Sequence, residues 1–548
     1  MHQIWIFLFA LGLKAVPRRK VRCDGQLPAC RRCVAGGHGE DCEYDTSSGT
    51  TRIQLLEQQI AQLEAKLRKL QDSADHDPVT DIQIPGRTPG PSKSAPRASE
   101  DFPFVPVPRV KRISKDPDLN LPANWWVSND LPDKISKLLV DSFAPNALLL
   151  GFFLHGPRFL ESMFSSKRTP PLPRPAPSLI SVIHLVGIQC SPSKQFREHE
   201  SLFLQRALQA MDANRHPRYV VHNIQAEILL THYFLRIGKF GQAMHRLNSA
   251  MSLAISCGLH KQSTHHSPAS YQLPPPIDGI ERGERLDAFW AVVLLHKAWG
   301  VSLQWPSRIS ALLDDIVDTP LPLDIGAYES GDVATNPEGY LTLQVLGGAV
   351  NVDKPPKGAS TWLGASVKAA VLFERATYLG IQWQSVMNDP EEMAQMHPFI
   401  QYLTNFVASL PSISACHESA LRHSWLVTQS LAHAAVIQLG SAFDDPQAKQ
   451  SCLASARAAV RVLKQFRAEE PECEDVNSLL GTTWTPVCKV LIRAISEIDQ
   501  RKDPTNSALR EELRGELWTV ISAMTLFGIH CAVIRSQLNQ IQQQYAFS

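Results

Sequence analysis

The sequence predicts a mainly α protein: a small cysteine-rich module, a short coiled coil, a disordered Pro-rich linker and a large all-α regulatory domain, in that order. Three observations carry this prediction. Four cysteines crowd into residues 23–42. A heptad seam of Ile and Leu follows within residues 52–71. From about Leu121 apolar residues recur at helical spacing and continue to do so to the end of the chain.

Composition sets the limits. A chain of 548 residues with 44% hydrophobic content has ample material for a large core. Its net charge of +1 gives no global field that would argue for a nucleic-acid partner. The basic charge is local instead: Lys14 to Arg32 carries seven Lys or Arg against one Asp. Eleven cysteines over this length do not amount to a disulfide scaffold. Cys190, Cys257, Cys416, Cys452, Cys473, Cys488 and Cys531 are scattered through helical patterns and are expected to pack as small apolar side chains. The absence of an N-x-[ST] sequon fits an intracellular protein.

Residues 1–13, MHQIWIFLFALGL, are almost wholly apolar. Ile4 to Leu13 has the length of a signal-peptide core and is too short to span a bilayer. No Lys or Arg precedes it and no small-x-small cleavage site follows, so neither secretion nor a membrane partner is expected.

The cysteine-rich module occupies residues 14–45. Cys23, Cys30, Cys33 and Cys42 are spaced C-x6-C-x2-C-x8-C. Thiolates bunched this closely in a reducing compartment are metal ligands more often than disulfides. Zinc suits them, because a d¹⁰ ion accepts four sulfurs at ~2.3 Å without redox chemistry. Arg18, Arg19, Lys20 and Arg22 precede the cluster, and Arg31 and Arg32 lie between its middle cysteines. Cations so placed reach phosphates and guanine edges.

Asp45 to Thr51 is a short flexible connector. In the next segment, 52–71, Ile53, Leu56, Ile60, Leu63, Leu67 and Leu70 are spaced 3, 4, 3, 4, 3. Ile53, Ile60 and Leu67 therefore fall at a and Leu56, Leu63 and Leu70 at d; Ile at a with Leu at d favours a parallel dimer, and Arg52 at g faces Glu57 at e of a second chain. Residues 72–120 hold nine prolines with Ser and Gly between them, the composition of a disordered or polyproline-like tether.

Residues 121–548 read as the all-α domain. Helices are expected within Leu131–Met163 and over Phe196–Met211. Tyr219–Leu235 and Phe240–Cys257 should pair around Gly238, with Gly258 as a stop signal. Ile280–Leu303, rich in Trp and Leu, is followed by an extended acidic-proline segment, Asp314–Pro322. Trp290, Trp299 and Trp305 are expected in the core rather than around a metabolite. Glu281, Arg282, Glu284 and Arg285 are expected on a solvated helix start. Further helices are read over Trp362–Met387, Pro390–Leu410, His417–Ala442, Gln447–Phe466, Ser478–Ile498 and Ala508–Tyr545. No repeat of fixed period accompanies them.

Enzymatic signatures are missing: there is no phosphate loop, H-E-x-x-H, G-x-S-x-G or G-x-G-x-x-G. His265 and His266 sit in a Ser/Pro-rich loop and are expected in solvent. An enzyme is not predicted.

Two stretches resemble one family. The string RRKVRCDGQLPACRRC followed by Cys42 closely resembles the fungal zinc binuclear cluster (Zn2Cys6) transcription factors. Cys23, Cys30, Cys33 and Cys42 match the third to sixth cysteines of that motif, and Asp24, Gly25 and Pro28 match its loop. Arg19 and Lys20 fall where the family reads a CGG-type triplet. GERLDAFW (283–290), WPSRI (305–309) and DDIVDTPLP (314–322) are similar to the fungal-specific transcription factor domain, or middle homology region. That second likeness covers roughly residues 125–440 and is independent of the first.

The chain also departs from the family. Leu13 and Val16 stand where the first two cysteines should be, and Pro17 where Arg is usual. The family's two zinc ions share six thiolates; the four present here suffice for one zinc at most. The expectation is that residues 1–13 are foreign to the natural fold. The alternative is a form of the protein that has lost DNA binding.

The resemblance implies a nuclear, sequence-specific, zinc-dependent regulator of RNA polymerase II transcription that binds double-stranded DNA as a homodimer through residues 52–71. Its helical region would answer to transcriptional coregulators or a small-molecule effector. The alternative function is an interaction protein that acts by pairing with an intact partner.

Overall fold

A computed structural model describes residues 121–164, 173–213, 216–261, 273–303, 313–332, 341–348, 356–386, 390–501 and 506–547. Every regular element among them is helical. The cysteine-rich module, the heptad seam and the linker, residues 1–120, lie outside the described residues.

The first layer is built on one apolar helix. α1 (Asp133–Phe143) buries Ile135, Leu139, Val140 and Phe143 along one stripe. After α2 (Gly156–Phe164) comes α3 (Pro177–Cys190), started by a proline whose missing N–H costs nothing at that position. α3 buries Leu179, Val182, Ile183, Leu185, Val186 and Ile188, residues from all sides of the helix. α1, α4 (Glu200–Ala213) and α5 (Val220–Arg236) surround it. Such all-round burial explains why α3 carries no amphipathic stripe. Gly187 lets α1 approach: a Cβ there would run into the Leu139 carbonyl.

α5 and α6 (Phe240–Ser256) form the predicted hairpin around Gly238, whose φ is +78°. Lys239 N–H reaches back to the Phe234 carbonyl (2.8 Å), closing the end of α5. Gly258 ends α6 in the same way, at φ +73° with Leu259 N–H on the Ala254 carbonyl.

α7 (Gly279–Ser302) starts where Asp278 accepts the Glu281 N–H at 2.9 Å. Glu281 in turn accepts the Ile277 N–H at 2.8 Å, so both side chains satisfy backbone donors at the helix start. α7 packs on α8 (Trp362–Val386), and α8 lies along α10 (Ser419–Gly440). Ser366 and Thr428 hydroxyls meet at 2.6 Å between them. α9 (Pro390–Ser409) and α11 (Pro446–Glu469) flank α10. α12 (Leu479–Arg501), α13 (Ser507–Phe527) and α14 (Ala532–Phe547) complete the domain.

The last two were expected as one helix over 508–545. They are two, separated by a turn at Gly528–Cys531 in which Gly528 and Ile529 bond back to the end of α13. Gly528 permits the turn, because a Cβ there would press on the Met524 carbonyl. The extended segment expected after α7 is present over residues 317–324.

One continuous apolar core runs from Trp125 to Ile541. Polar bonds join its early and late parts. Arg236 pairs with Asp475 (2.7 Å), Asn477 Nδ2 donates to the Leu149 carbonyl (3.0 Å), and Ser302 donates to Thr482 (3.0 Å).

Candidate ligand cleft of the helical domain

The residues predicted to bind metal and DNA lie outside the described residues, as do those predicted to dimerise. What can be tested for the metal is the chemistry of the donor set. Cys23, Cys30, Cys33 and Cys42 are four thiols, the number that one tetrahedral zinc would take. Leu13 and Val16 supply no donor for a second. Among the described residues no group of three His, Cys, Asp or Glu side chains is placed to hold a metal ion. No helix among them is long and apolar enough to cross a membrane.

Trp290 and Trp299 are fully buried, as expected for core residues. Trp290 Nε1 donates to the Pro320 carbonyl at 2.7 Å, so α7 holds the acidic-proline segment in place. Trp305 and the His265–His266 pair lie outside the described residues.

The start of α7 is less solvated than its charge suggests. Glu281 and Arg285 form the expected helix-surface pair at 2.7 Å. Glu284, however, accepts the His155 N–H at 3.0 Å and is partly enclosed, and burial raises its pKa. Beside it Asp287 accepts the Tyr328 hydroxyl (3.0 Å), while that same oxygen accepts the Leu323 N–H (2.8 Å). Burial pushes the Asp287 carboxyl well above its ordinary value.

Deeper in α7, Lys297 is 1% exposed. Its ammonium lies 2.6 Å from Glu374 of α8 and 2.9 Å from Asp314. Burial would lower its pKa; the two carboxylates outweigh that effect and raise it. This is a structural tie between α7, α8 and the turn that precedes the extended segment. No period or motif announces it, because the three residues are far apart in the sequence.

On the far side of α8 an open cleft of about 980 Å³ lies between the end of α7, α8, the end of α10, the start of α11, α12 and α14. Ile381 and Tyr378 of α8 project into it, 73% and 38% exposed, beside Val301 of α7. Its opposite side carries Lys449 of α11 and Lys489 and Arg493 of α12, one turn apart. Glu497 follows on the same face of α12 and accepts from Arg493 at 3.2 Å. Asp444, at the rim, pairs with Lys449 at 2.7 Å and lies 3.7 Å from Arg493. Within its lining Thr485 donates to Gln537 (2.9 Å). Sequence reasoning did not find this cleft. Six helices contribute to it, and the only local signal is a pair of apolar side chains, Tyr378 and Ile381, left exposed on one helix face.

None of the described features is a catalytic constellation. Every described cysteine is free, and Cys257, Cys452, Cys488 and Cys531 are buried as expected. Burial raises the Cys488 thiol to about 12, which holds it protonated and unreactive.

The family model of the fungal specific transcription factor domain matches residues 149–366, which run from the end of α1's layer into the first turn of α8. The family model of the fungal Zn(2)-Cys(6) binuclear cluster domain matches residues 17–51. That second match takes in Cys23, Cys30, Cys33 and Cys42 and begins just past positions 13 and 16. No curated protein and no solved structure was found to match the chain.

Proposed function

We propose, for a chain that carries the two domains of a fungal Zn(2)-Cys(6) transcription factor, that it is a nuclear, zinc-dependent regulator of RNA polymerase II transcription reading CGG-type half-sites. The single observation behind this reading is the pairing of both domains in one chain, in the order zinc module then helical domain. Neither belongs to an enzyme family.

The mechanism follows from charge placement. Zinc, when bound, supplies a rigid crosslink; the cations do the recognition. Arg19 and Lys20 would present donors to guanine O6 and N7 in the major groove. Arg18, Arg22, Arg31 and Arg32 would sit on phosphates, giving affinity that falls with salt. Two chains joined along Ile53, Leu56, Ile60, Leu63, Leu67 and Leu70 would fix the spacing between half-sites. The helical domain would then pass effector or coregulator binding to that module.

The test is a gel shift with the zinc-loaded full chain on paired CGG triplets at varied separations, with metal content measured on the same sample. A shift that needs zinc supports the proposal. If no oligonucleotide shifts, the second reading replaces it: a partner-pairing protein without DNA binding of its own. Leu13 and Val16, at two cysteine positions of the motif, are the specific observation that favours this second reading.

A further inference from the structure

We infer that the cleft between α8 and α12 is a binding site for a small monoanion with an apolar body, a carboxylate carried on an alkyl or aromatic frame. The inference rests on the proposed reading of the helical domain as the effector-responsive half of a regulator, and names the site and the ligand class.

Volume comes first. At about 980 Å³ the cleft is at the upper end of small-molecule sites, far larger than a solvent gap between packed helices. Its walls then set the chemistry. On the α8 side, Ile381 leaves 73% of its surface in water although the earlier turns of the same helix, from Leu363 to Ala376, form core. A large aliphatic side chain so exposed, facing a concavity and next to Tyr378, is surface that an apolar ligand body would remove from water. On the α12 side the charges do not balance. Lys449, Lys489 and Arg493 face Glu497 and the rim residue Asp444, which leaves a surplus of one positive charge. Lys449 already holds Asp444 at 2.7 Å and Arg493 holds Glu497 at 3.2 Å. Lys489, exposed and one turn before Arg493, supplies the surplus charge. An apolar wall facing a wall with one surplus cation fits a ligand with an apolar body and one negative charge. A cationic ligand would leave Lys489 uncompensated, and a zwitterion would pair Lys489 only by bringing a second unpaired cation into the cleft.

The test is calorimetric titration of the zinc-loaded full chain with decanoate below its micellar range, alongside decanol and decyltrimethylammonium. The expected result is one decanoate site per chain, with the ammonium analogue weaker by roughly ten-fold or more and decanol between them. Lys489→Glu and Ile381→Asp each alter an exposed side chain, and each should weaken decanoate roughly ten-fold while leaving the thermal midpoint unchanged. Equal binding of the anionic and cationic probes overturns the inference. So does decanoate binding that survives both substitutions, and so does the absence of any binding. A gel shift on the same sample separates the two readings: DNA binding without decanoate binding sinks only this inference, and decanoate binding without DNA binding sinks only the regulator reading.

Discussion

Lys297 Nζ lies 2.6 Å from Glu374 Oε2, deep between α7 and α8, and both side chains are almost wholly enclosed. Removing one charge from such a pair strands the other in a poorly polar setting. Lys297→Met should therefore destabilise the domain by about 3–5 kcal/mol in urea unfolding. Adding Glu374→Leu should restore most of that loss, because an apolar pair of similar size carries no desolvation cost. Asp314, 44% exposed, keeps its water in either variant. A double variant no more stable than the single one would show that the pair itself contributes net stability.

Asp287 should make stability depend on pH in the direction opposite to an ordinary salt-bridged carboxylate. Its pKa is raised in the folded chain, chiefly by burial. The native state therefore keeps a proton that the unfolded chain gives up above about pH 4. Stability attributable to this group falls as pH rises through that window, by up to about 1.4 kcal/mol per pH unit while the folded carboxyl stays protonated. Asp287→Asn keeps an acceptor for the Tyr328 hydroxyl and removes the titration. Relative to the parent, the variant should gain stability between pH 4 and pH 7 in parallel urea melts. A constant difference would mean that Asp287 is ionised in the fold.

Gly187→Ala should push α1 away from α3, since the added methyl meets the rigid backbone at Leu139 rather than a side chain that can turn aside. Overpacking of this kind costs about 1–3 kcal/mol. The check is thermal unfolding beside Gly241→Ala, where a Cβ meets nothing within 4 Å. That control should hold or raise the midpoint.

Lys20→Ala tests the base-reading role in the zinc module. Discrimination at one base pair of the half-site should relax by about 1–3 kcal/mol, while binding to unrelated DNA changes much less. Equal loss on specific and random duplexes in a gel-shift titration would assign Lys20 to phosphate contact instead.

Much of this architecture was legible in the residues, and the exceptions have physical causes. α5, α6 and α7 were readable because apolar periodicity marks all three and Gly238 and Gly258 mark the ends of the first two. α3 was not, because a helix buried on every side has no polar face to reveal its period. α13 and α14 merged in the sequence because the turn at Gly528–Cys531 interrupts the pattern for only four residues. The zinc module was legible from its four cysteines together with the flanking cations and the loop of Asp24, Gly25 and Pro28, and the zinc cluster family model matches residues 17–51. The cleft was not, because it exists only where the ends of separate helices converge.

Arg236 reaches Asp475, Asn477 reaches Leu149, and a Cβ at Gly238 would sit 3.1 Å from Ala532. The helices beyond residue 366 thus close over the same apolar interior as those before it. A gene lesion that stops translation in α10 or α11 would leave Arg236 without Asp475 and the Leu149 carbonyl without Asn477, and would open the shared core. Its product should be cleared by the cell's quality control rather than persist as a shortened regulator. Nonsense alleles late in the reading frame would then behave genetically like complete deletions of this domain.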